Sequence, residues 1–514
     1  MRLHRPPARG AARLGWALCV AAVASLPAVP CSEPRAGGIR TRLLVPNLDD
    51  DNEDGRLDWD ASDPQDPDLV ELDLPLRRAD VVVARGDLGS NRVWQGDRVV
   101  VDAYAGERWR VEAPGPLRVE LGAFDARLEL TVLRGPRVVT SVLLAAAPVT
   151  LPHPFRPISR AWVVPLLKPG GAGNIALLDA LDDVLGDAMR WIPGEQYGDD
   201  RWPQDQFEVA WAVGETGRLR VVLDSPRDGF RGARGGFVER VLGSGPDTYV
   251  YALDADDWGS RDSFGNLEVT PPLPGFPEGR IYYGVDGPRG AAPEVVRFLA
   301  AQGRQRPFAI DTSRFCVGHV DELVAFVPDP DRPAGFRVLV PSPRVAYTLL
   351  GIADGRTRID AYADLPTPDR AYRTLRELRD DAELRAYNMA LEAGPLADLR
   401  AVLRAELGLT PQDIVGLPAM YALYDDEDDP DCGAVSLVPN LLNGLTAPTK
   451  RGATLLLPDP RLRPAGAGSQ EDVFARARRL LLPRGVTARF VDTWETYHVN
   501  LGGLHCATNT ERLP

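Results

Sequence analysis

The chain has 514 residues, 44% of them hydrophobic and 26% charged, with a formal net charge of −14. That length exceeds one ordinary core and points to two or three domains, and no long stretch has the composition of a disordered chain. The acidic balance argues against a nucleic-acid binder, which needs a basic face; it suits metal ions or basic substrates, or serves solubility alone.

The first 30 residues read as an export signal. Arg2, Arg5, Arg9 and Arg13 form a basic start, and Leu14 to Leu26 is an apolar run too short for a typical membrane span. Cleavage near Ala28 is expected. Leu26-Pro27-Ala28-Val29-Pro30-Cys31 loosely resembles a bacterial lipobox, so a lipidated Cys31 is the alternative, with Pro30 where Gly or Ala is usual. No other stretch is suited to crossing a bilayer, so the mature protein is expected to be secreted, periplasmic or a surface lipoprotein. The five cysteines, Cys19, Cys31, Cys316, Cys432 and Cys506, lie far apart with no CxxC or zinc spacing. They are too few for a disulfide scaffold, and an unpaired thiol in an exported protein marks a reactive candidate.

Ile39 to Leu44 is a short apolar segment, followed by the acidic loop Asn47-Leu48-Asp49-Asp50-Asp51-Asn52-Glu53-Asp54-Gly55. Closely spaced Asp and Asn oxygens with a glycine turn suit Ca2+, which takes six to eight hard oxygen ligands; a solvated acidic loop is the alternative. From Ala79 to about Leu151, runs rich in β-branched residues recur between turn signals: Val81 to Val83, Val99 to Val101, Leu117 to Leu121, Leu128 to Val132 and Val138 to Leu144. This is the pattern of a small β-sandwich, and Pro152, Pro154 and Pro157 mark its boundary.

Beyond about Arg160 the texture is α/β. Trp162 to Leu167 reads as a strand, and Ile175 to Met189 as an amphipathic helix. Pro293 and Gly303 bracket another helix. Ser469 and Asp472 resemble a capping box for a helix through Leu480, and Val486 to Val491 returns as a strand. No internal repeat stands out.

Reactive side chains gather in four segments. The last, Tyr497 to Asn509, carries His498, His505 and Cys506. A cysteine nucleophile needs a base or a local positive charge. His319 in Gly318-His319-Val320-Asp321-Glu322 is the candidate base; on a strand, period two puts Asp321 on its face as an orienting carboxylate. The other segments are Asp199 to Glu208 and Asp262 to Glu268. Two carboxylates beside a Cys/His pair suit a guanidinium, whose planar donors they grip.

At these residues the sequence resembles the protein-arginine deiminases. The matching motifs are Asp200-Arg201-Trp202-Pro203-Gln204-Asp205, Leu223-Asp224-Ser225-Pro226-Arg227, Asp262 to Glu268, Val317 to Glu322, Val438-Pro439-Asn440 and His505-Cys506-Ala507-Thr508-Asn509, in order from about Trp162 to the end. The resemblance implies a five-bladed α/β propeller, the pentein fold, over residues 160–514, preceded by one all-β immunoglobulin-like sandwich over 39–155. It implies Ca2+-dependent hydrolysis of peptidyl-arginine to peptidyl-citrulline and ammonia, with arginine-containing proteins or peptides as substrates.

Carried over by motif, Cys506 is the nucleophile and His319 the general acid/base. Asp205 and Asp321 bind the guanidinium, Trp202 lines the slot and Arg227 contacts the substrate backbone. Gln204, Glu208, Glu268 and the carbonyls of Phe264 and Leu267 hold one Ca2+; Asp224, Ser225 and Asp228 contribute to a second. Asn47, Asp49 and Asp51 match the start of a metal loop in the sandwich. The chain departs from the family pattern at Gln206, where an acidic ligand is usual, at Gly229 and Asn500, where arginines are, and at Ala507, where a glycine is. These departures bear on peptide recognition. A deiminase of free arginine or another small guanidine is therefore the near alternative, and a noncatalytic Ca2+-binding surface module the distant one.

Overall fold

The computed structural model describes residues 40–514 apart from 50–56, 62, 64–68, 167–172, 199, 228–230, 233–234, 246, 253–258, 288, 363–370, 425–431, 451 and 478–480. The export signal, Cys31, Asp51 and Asp228 lie outside the described residues. Nine strands come first: β1 (Arg40–Leu44), β2 (Val70–Leu72), β3 (Val81–Gly86), β4 (Asn91–Gln95), β5 (Arg98–Val101), β6 (Arg108–Arg110), β7 (Leu117–Leu121), β8 (Arg127–Arg134) and β9 (Arg137–Ala146). They form two sheets, ordered β1-β9-β8-β3-β6 and β2-β7-β4-β5. Every pairing is antiparallel except β1 with β9. Val82, Leu128, Leu130 and Leu144 of the first sheet share one core with Leu72, Val93, Leu117 and Val119 of the second. Alternate residues along β8 are buried, so the period-two pattern of the sequence is the inner face of a sandwich. The expected strands are all present; β2, β4 and β6 are additional, short or charged segments with little β-branched signal.

Among the described residues of the rest of the chain one unit occurs five times: an antiparallel pair of strands, the second of which also pairs in parallel with a third. Four units run in chain order. They are Phe207–Val213, Arg218–Asp224 and Thr248–Tyr251; Leu267–Val269, Ile281–Asp286 and Phe308–Asp311; Ala325–Pro328, Phe336–Ser342 and Ile414–Pro418; and Leu445–Thr449, Gly452–Pro458 and Val486–Val491. The fifth joins both ends of this region: the terminal strand Thr508–Arg512 lies antiparallel to Ile158–Val163, which runs parallel to Met189–Trp191. Each parallel third strand requires a crossover, and helices such as Ile175–Leu185, Pro293–Ala301 and Pro395–Leu407 lie in these connections. Buried bonds seat the terminal strand, with Arg220 on Glu511 at 2.9 Å and the Asn509 amide donating to the Phe207 carbonyl at 2.6 Å.

Three expected elements differ. The strand expected over Trp162–Leu167 is Ile158–Val163, because the Asn174 side chain takes the backbone N–H of Leu166 at 2.8 Å and the carbonyl of Val164 at 2.8 Å. The helix expected to reach Met189 stops at Leu185, where Gly186 adopts φ +51°. Among the described residues, 469–477 hold two short 3-10 turns, Ser469–Glu471 and Ala475–Ala477, in place of the start of the expected helix; the Asp472 carboxylate between them accepts from the N–H groups of Phe474 and Ala475.

Candidate active site

The reactive groups stand in the turns that lead into the first strand of each unit. Asp205 ends the 3-10 turn Pro203–Asp205 before Phe207–Val213. Phe264–Asn266 precedes Leu267–Val269, and Val320–Glu322, with His319 at its start, precedes Ala325–Pro328. Cys506 precedes Thr508–Arg512. Convergence of equivalent turns is why residues some three hundred positions apart meet: the Gln204 N–H donates to the Cys506 carbonyl at 3.4 Å.

Cys506 is free and buried, and its Sγ lies 3.3 Å from Asp321 Oδ2. The same oxygen accepts from His505 Nδ1 at 3.0 Å and from Asn443 Nδ2 at 3.0 Å. His319 pairs instead with Asp205, Nδ1 to Oδ1, at 3.6 Å. Its other ring nitrogen, Nε2, donates to the Ser260 carbonyl at 2.7 Å, which leaves Nδ1 as the nitrogen that faces the site. The expected strand through His319 is thus corrected to an extended residue followed by a 3-10 turn, and Asp321 is not the orienting partner of His319. The turn splits them, sending Asp321 to the thiol and His319 to Asp205. Gly265 makes this packing possible: a Cβ there would meet His319 Nδ1 at 2.6 Å and Asp205 Oδ1 at 2.9 Å.

The site is rich in negative charge. Burial, then the carboxylates of Asp321, Asp205 and Glu322, push the Cys506 thiol well above the usual thiol range. Burial also raises Asp205, with His319 and Arg227 opposing it. Such a site favours a cation brought in from outside, which would relieve the repulsion between a thiolate and two carboxylates.

A family-wide sequence profile described as protein-arginine deiminase matches residues 137–514. The chain belongs to the protein-arginine deiminase family. It is 34% identical over 336 residues to protein-arginine deiminase type-4 of Mus musculus, covering 63% of this chain and 48% of that protein. It is 33% identical to the type-4 protein of Homo sapiens, covering 63% and 48%, and 31% identical to the human type-3 protein, covering 66% and 51%. The chain therefore spans about half the length of the curated relatives it matches. Among solved structures, the agmatine deiminase of C. jejuni is similar at TM-score 0.39 and 10% identity, covering 71% of this chain and 96% of that one. An amidinotransferase from Microseira wollei is similar at TM-score 0.35 and 13% identity, covering 71% and 98%. These scores are too low to carry a structural argument.

In this deiminase-family chain Trp202 is half-buried, packed over Gly502 and 5.7 Å from the Tyr497 ring. Arg227 faces inward, its Nη1 2.9 Å from Asp205 Oδ2 and its Nη2 3.1 Å from Asp200 Oδ2. Gln204, Glu208, Leu267 and Glu268 line a cavity of about 70 Å3 that His505 and Arg512 also border. This donor set fits a hard cation. Glu268 Oε1 is buried without a hydrogen-bond partner, 3.5 Å from His505 Nε2, and burial with mutual repulsion raises Glu208 to about 8. Burial and Asp321 raise Glu268 to about 7, against His505. Among the described residues no group of three His, Cys, Asp or Glu side chains is placed to hold a metal ion by itself, so such a cation would depend on Gln204 and on backbone carbonyls. Asp224 and Ser225 are buried where Arg218–Asp224 ends, with Ser225 Oγ accepting from the Arg227 N–H at 3.1 Å. Asn47 and Asp49 are buried beside the sandwich, the Asn47 amide donating to Glu120 at 3.0 Å.

Sequence reasoning did not foresee one disulfide or two side-chain contacts at the site. Cys316 and Cys432 form a disulfide, which ties the segment entering His319 to Ala434–Ser436. Asn443 and His505 both contact the Asp321–Cys506 pair. His505 was visible as a histidine beside the thiol, and Asn443 had no motif of its own.

Proposed function

We propose that this chain hydrolyses the guanidinium group of peptidyl-arginine to peptidyl-citrulline and ammonia. The observation that carries the reading is the pairing of buried groups: Cys506 on Asp321 and His319 on Asp205. A guanidinium held between the two carboxylates presents its central carbon to Sγ and one terminal nitrogen to His319. The thiolate attacks that carbon, His319 protonates the nitrogen that departs as ammonia, and a thiouronium remains on sulfur. His319 then takes a proton from water, the resulting hydroxide adds to the carbon, and the thiolate leaves to give the ureido group. The field of Asp321 and Asp205 makes the substrate cation itself a condition for thiolate formation.

Gln204, Glu208, Glu268 and the Phe264 and Leu267 carbonyls would hold a Ca2+, Asp224, Ser225 and Asp228 a second, and Asn47, Asp49 and Asp51 another in the sandwich. Bound there, Ca2+ supplies charge balance for the buried carboxylates around the site. The five repeated units are read as the blades of a pentein propeller over 160–514, and the preceding sandwich over 39–155 as immunoglobulin-like. The Cys316–Cys432 disulfide supports an exported protein, in keeping with the basic and apolar opening of the chain. Arg227, held by Asp200 and Asp205, favours a second reading in which a small guanidine is the substrate, because its donors are turned from any peptide backbone. Incubating the purified chain with blocked arginine peptides, free arginine and agmatine, with Ca2+ or chelator, tests both. Citrulline from the peptides is expected, and turnover of the free guanidines alone would select the second reading.

A further inference from the structure

We propose that Asn443 is a further catalytic residue, whose amide holds the Cys506 sulfur in each step that has a thiolate. The proposal rests on Cys506 as nucleophile. Asn443 Nδ2 lies 2.9 Å from Cys506 Sγ and 3.0 Å from Asp321 Oδ2, so the two amide hydrogens are shared between the sulfur and the carboxylate that repels it. Its Oδ1 accepts the Cys506 backbone N–H at 3.2 Å. Its main-chain carbonyl accepts from the N–H groups of Leu504 and His505, both at 3.1 Å. One residue therefore grips the nucleophile-bearing turn at backbone and side chain together. The amide has one acceptable orientation. Flipped, it would aim its oxygen at a thiolate and a carboxylate, and its hydrogens at an N–H.

Two further observations support the assignment. Gly503 admits the side chain, since a Cβ there would meet Asn443 Oδ1 at 2.6 Å. The fivefold repeat gives an independent reason. Asp205, Asn443 and Cys506 each stand two residues ahead of a first strand, those strands beginning at 207, 445 and 508. Asn443 is thus the contribution of the fourth unit to a site to which the other units give Asp205, the Phe264–Asn266 turn, the His319–Asp321 pair and Cys506.

The amide matters most when sulfur is charged. A thiolate facing Asp321 Oδ2 at 3.3 Å needs donors, and the Asn443 side-chain amide at 2.9 Å supplies one. Once sulfur is bonded to the substrate carbon it is a poor acceptor, so the contact favours the attacking and the departing thiolate over the covalent adduct. A carboxylate in this position would add to the repulsion.

Asn443→Asp is nearly isosteric and keeps an acceptor for the Cys506 N–H; Asn443→Ala removes both side-chain contacts. The experiment measures iodoacetamide alkylation of Cys506 by intact mass from about pH 6 to pH 9, and kcat and KM on a blocked arginine peptide with Ca2+. Alkylation at fixed pH is expected to slow about tenfold, one pKa unit, with Asp slower than Ala. Turnover is expected to fall about 10²-fold in kcat with little change in KM. Alkylation unchanged in both variants would overturn the proposal, even if kcat falls, because a purely structural clamp would do that. If Asn443→Ala fails to fold, the Asp variant alone decides. Turnover by Cys506→Ala would sink the nucleophile reading instead, and would leave the alkylation result to report on the Asn443 contact.

Discussion

Asp321 holds two opposed roles at one oxygen. It raises the Cys506 thiol from 3.3 Å away, and in the proposed reaction it binds the guanidinium that offsets this. Asp321→Asn should therefore split two readouts: alkylation of Cys506 near neutral pH should quicken, while turnover of an arginine peptide falls at least ~10²-fold. Slower alkylation would mean that Asp321 does not control the thiol. Gly265→Ala should cost about 10²-fold in kcat, because the new methyl displaces His319 and Asp205. Steady-state kinetics with a thermal melt would separate that effect from unfolding. The motifs singled out Cys506, His319, Asp205 and Asp321, and the structure brings these four side chains together. The partnership of His319 with Asp205 was not legible, since it depends on a 3-10 turn where alternation suggested a strand. Asn443 was hidden because an asparagine in Leu-Leu-Asn-Gly-Leu carries no local mark of chemistry.

The strands and turns are where local sequence was most and least informative. Runs such as Leu117–Leu121 and Val486–Val491 match their expectation, because their apolar and β-branched residues favour extended backbone that neighbouring strands pair with. Arg108–Arg110 forms a strand by pairing with β3 despite two exposed arginines, and its own residues gave no cue. The disulfide was equally silent, as pairing across a separation of 116 residues is a matter of tertiary structure. It closes a long loop that contains His319, three residues beyond Cys316, and the loop-entropy relation for that length gives about 4–5 kcal/mol. Reduction, or Cys432→Ser, is expected to lower Tm by several degrees and to reduce activity through His319. Calorimetry with and without reductant checks this; an unchanged Tm would mean that the bridge does not stabilise the chain.

At the scale of the whole molecule, the terminal strand pairs with Ile158–Val163 at the start of the α/β region and carries Cys506, the proposed nucleophile, to the site. That the last residues belong to the site was legible in the density of reactive side chains there. The repeat was not, because the five units share a strand pattern without shared residues. The buried charge has a consequence for stability. Without a bound cation Glu208 and Glu268 titrate at about 8 and about 7 rather than 4.5, so between those values the native chain holds more protons than the unfolded one. Stability then falls as pH rises through that window. His505, which Glu268 and Asp321 raise from 6.5 to about 9 against the opposing effect of burial, acts with the same sign. Its contribution is full below 6.5 and lost through about 9. In chelator Tm should drop between about pH 6 and pH 9, and Ca2+ should flatten the drop; a Tm that rises with pH in chelator would contradict the charge arrangement.

The most direct test of the proposed chemistry is citrulline release from a blocked arginine peptide in Ca2+, compared between the native chain and Cys506→Ala. Release by the native chain and none above background by the variant is the expected result. Equal release by the variant, or no release by the native chain from any guanidine, would contradict it.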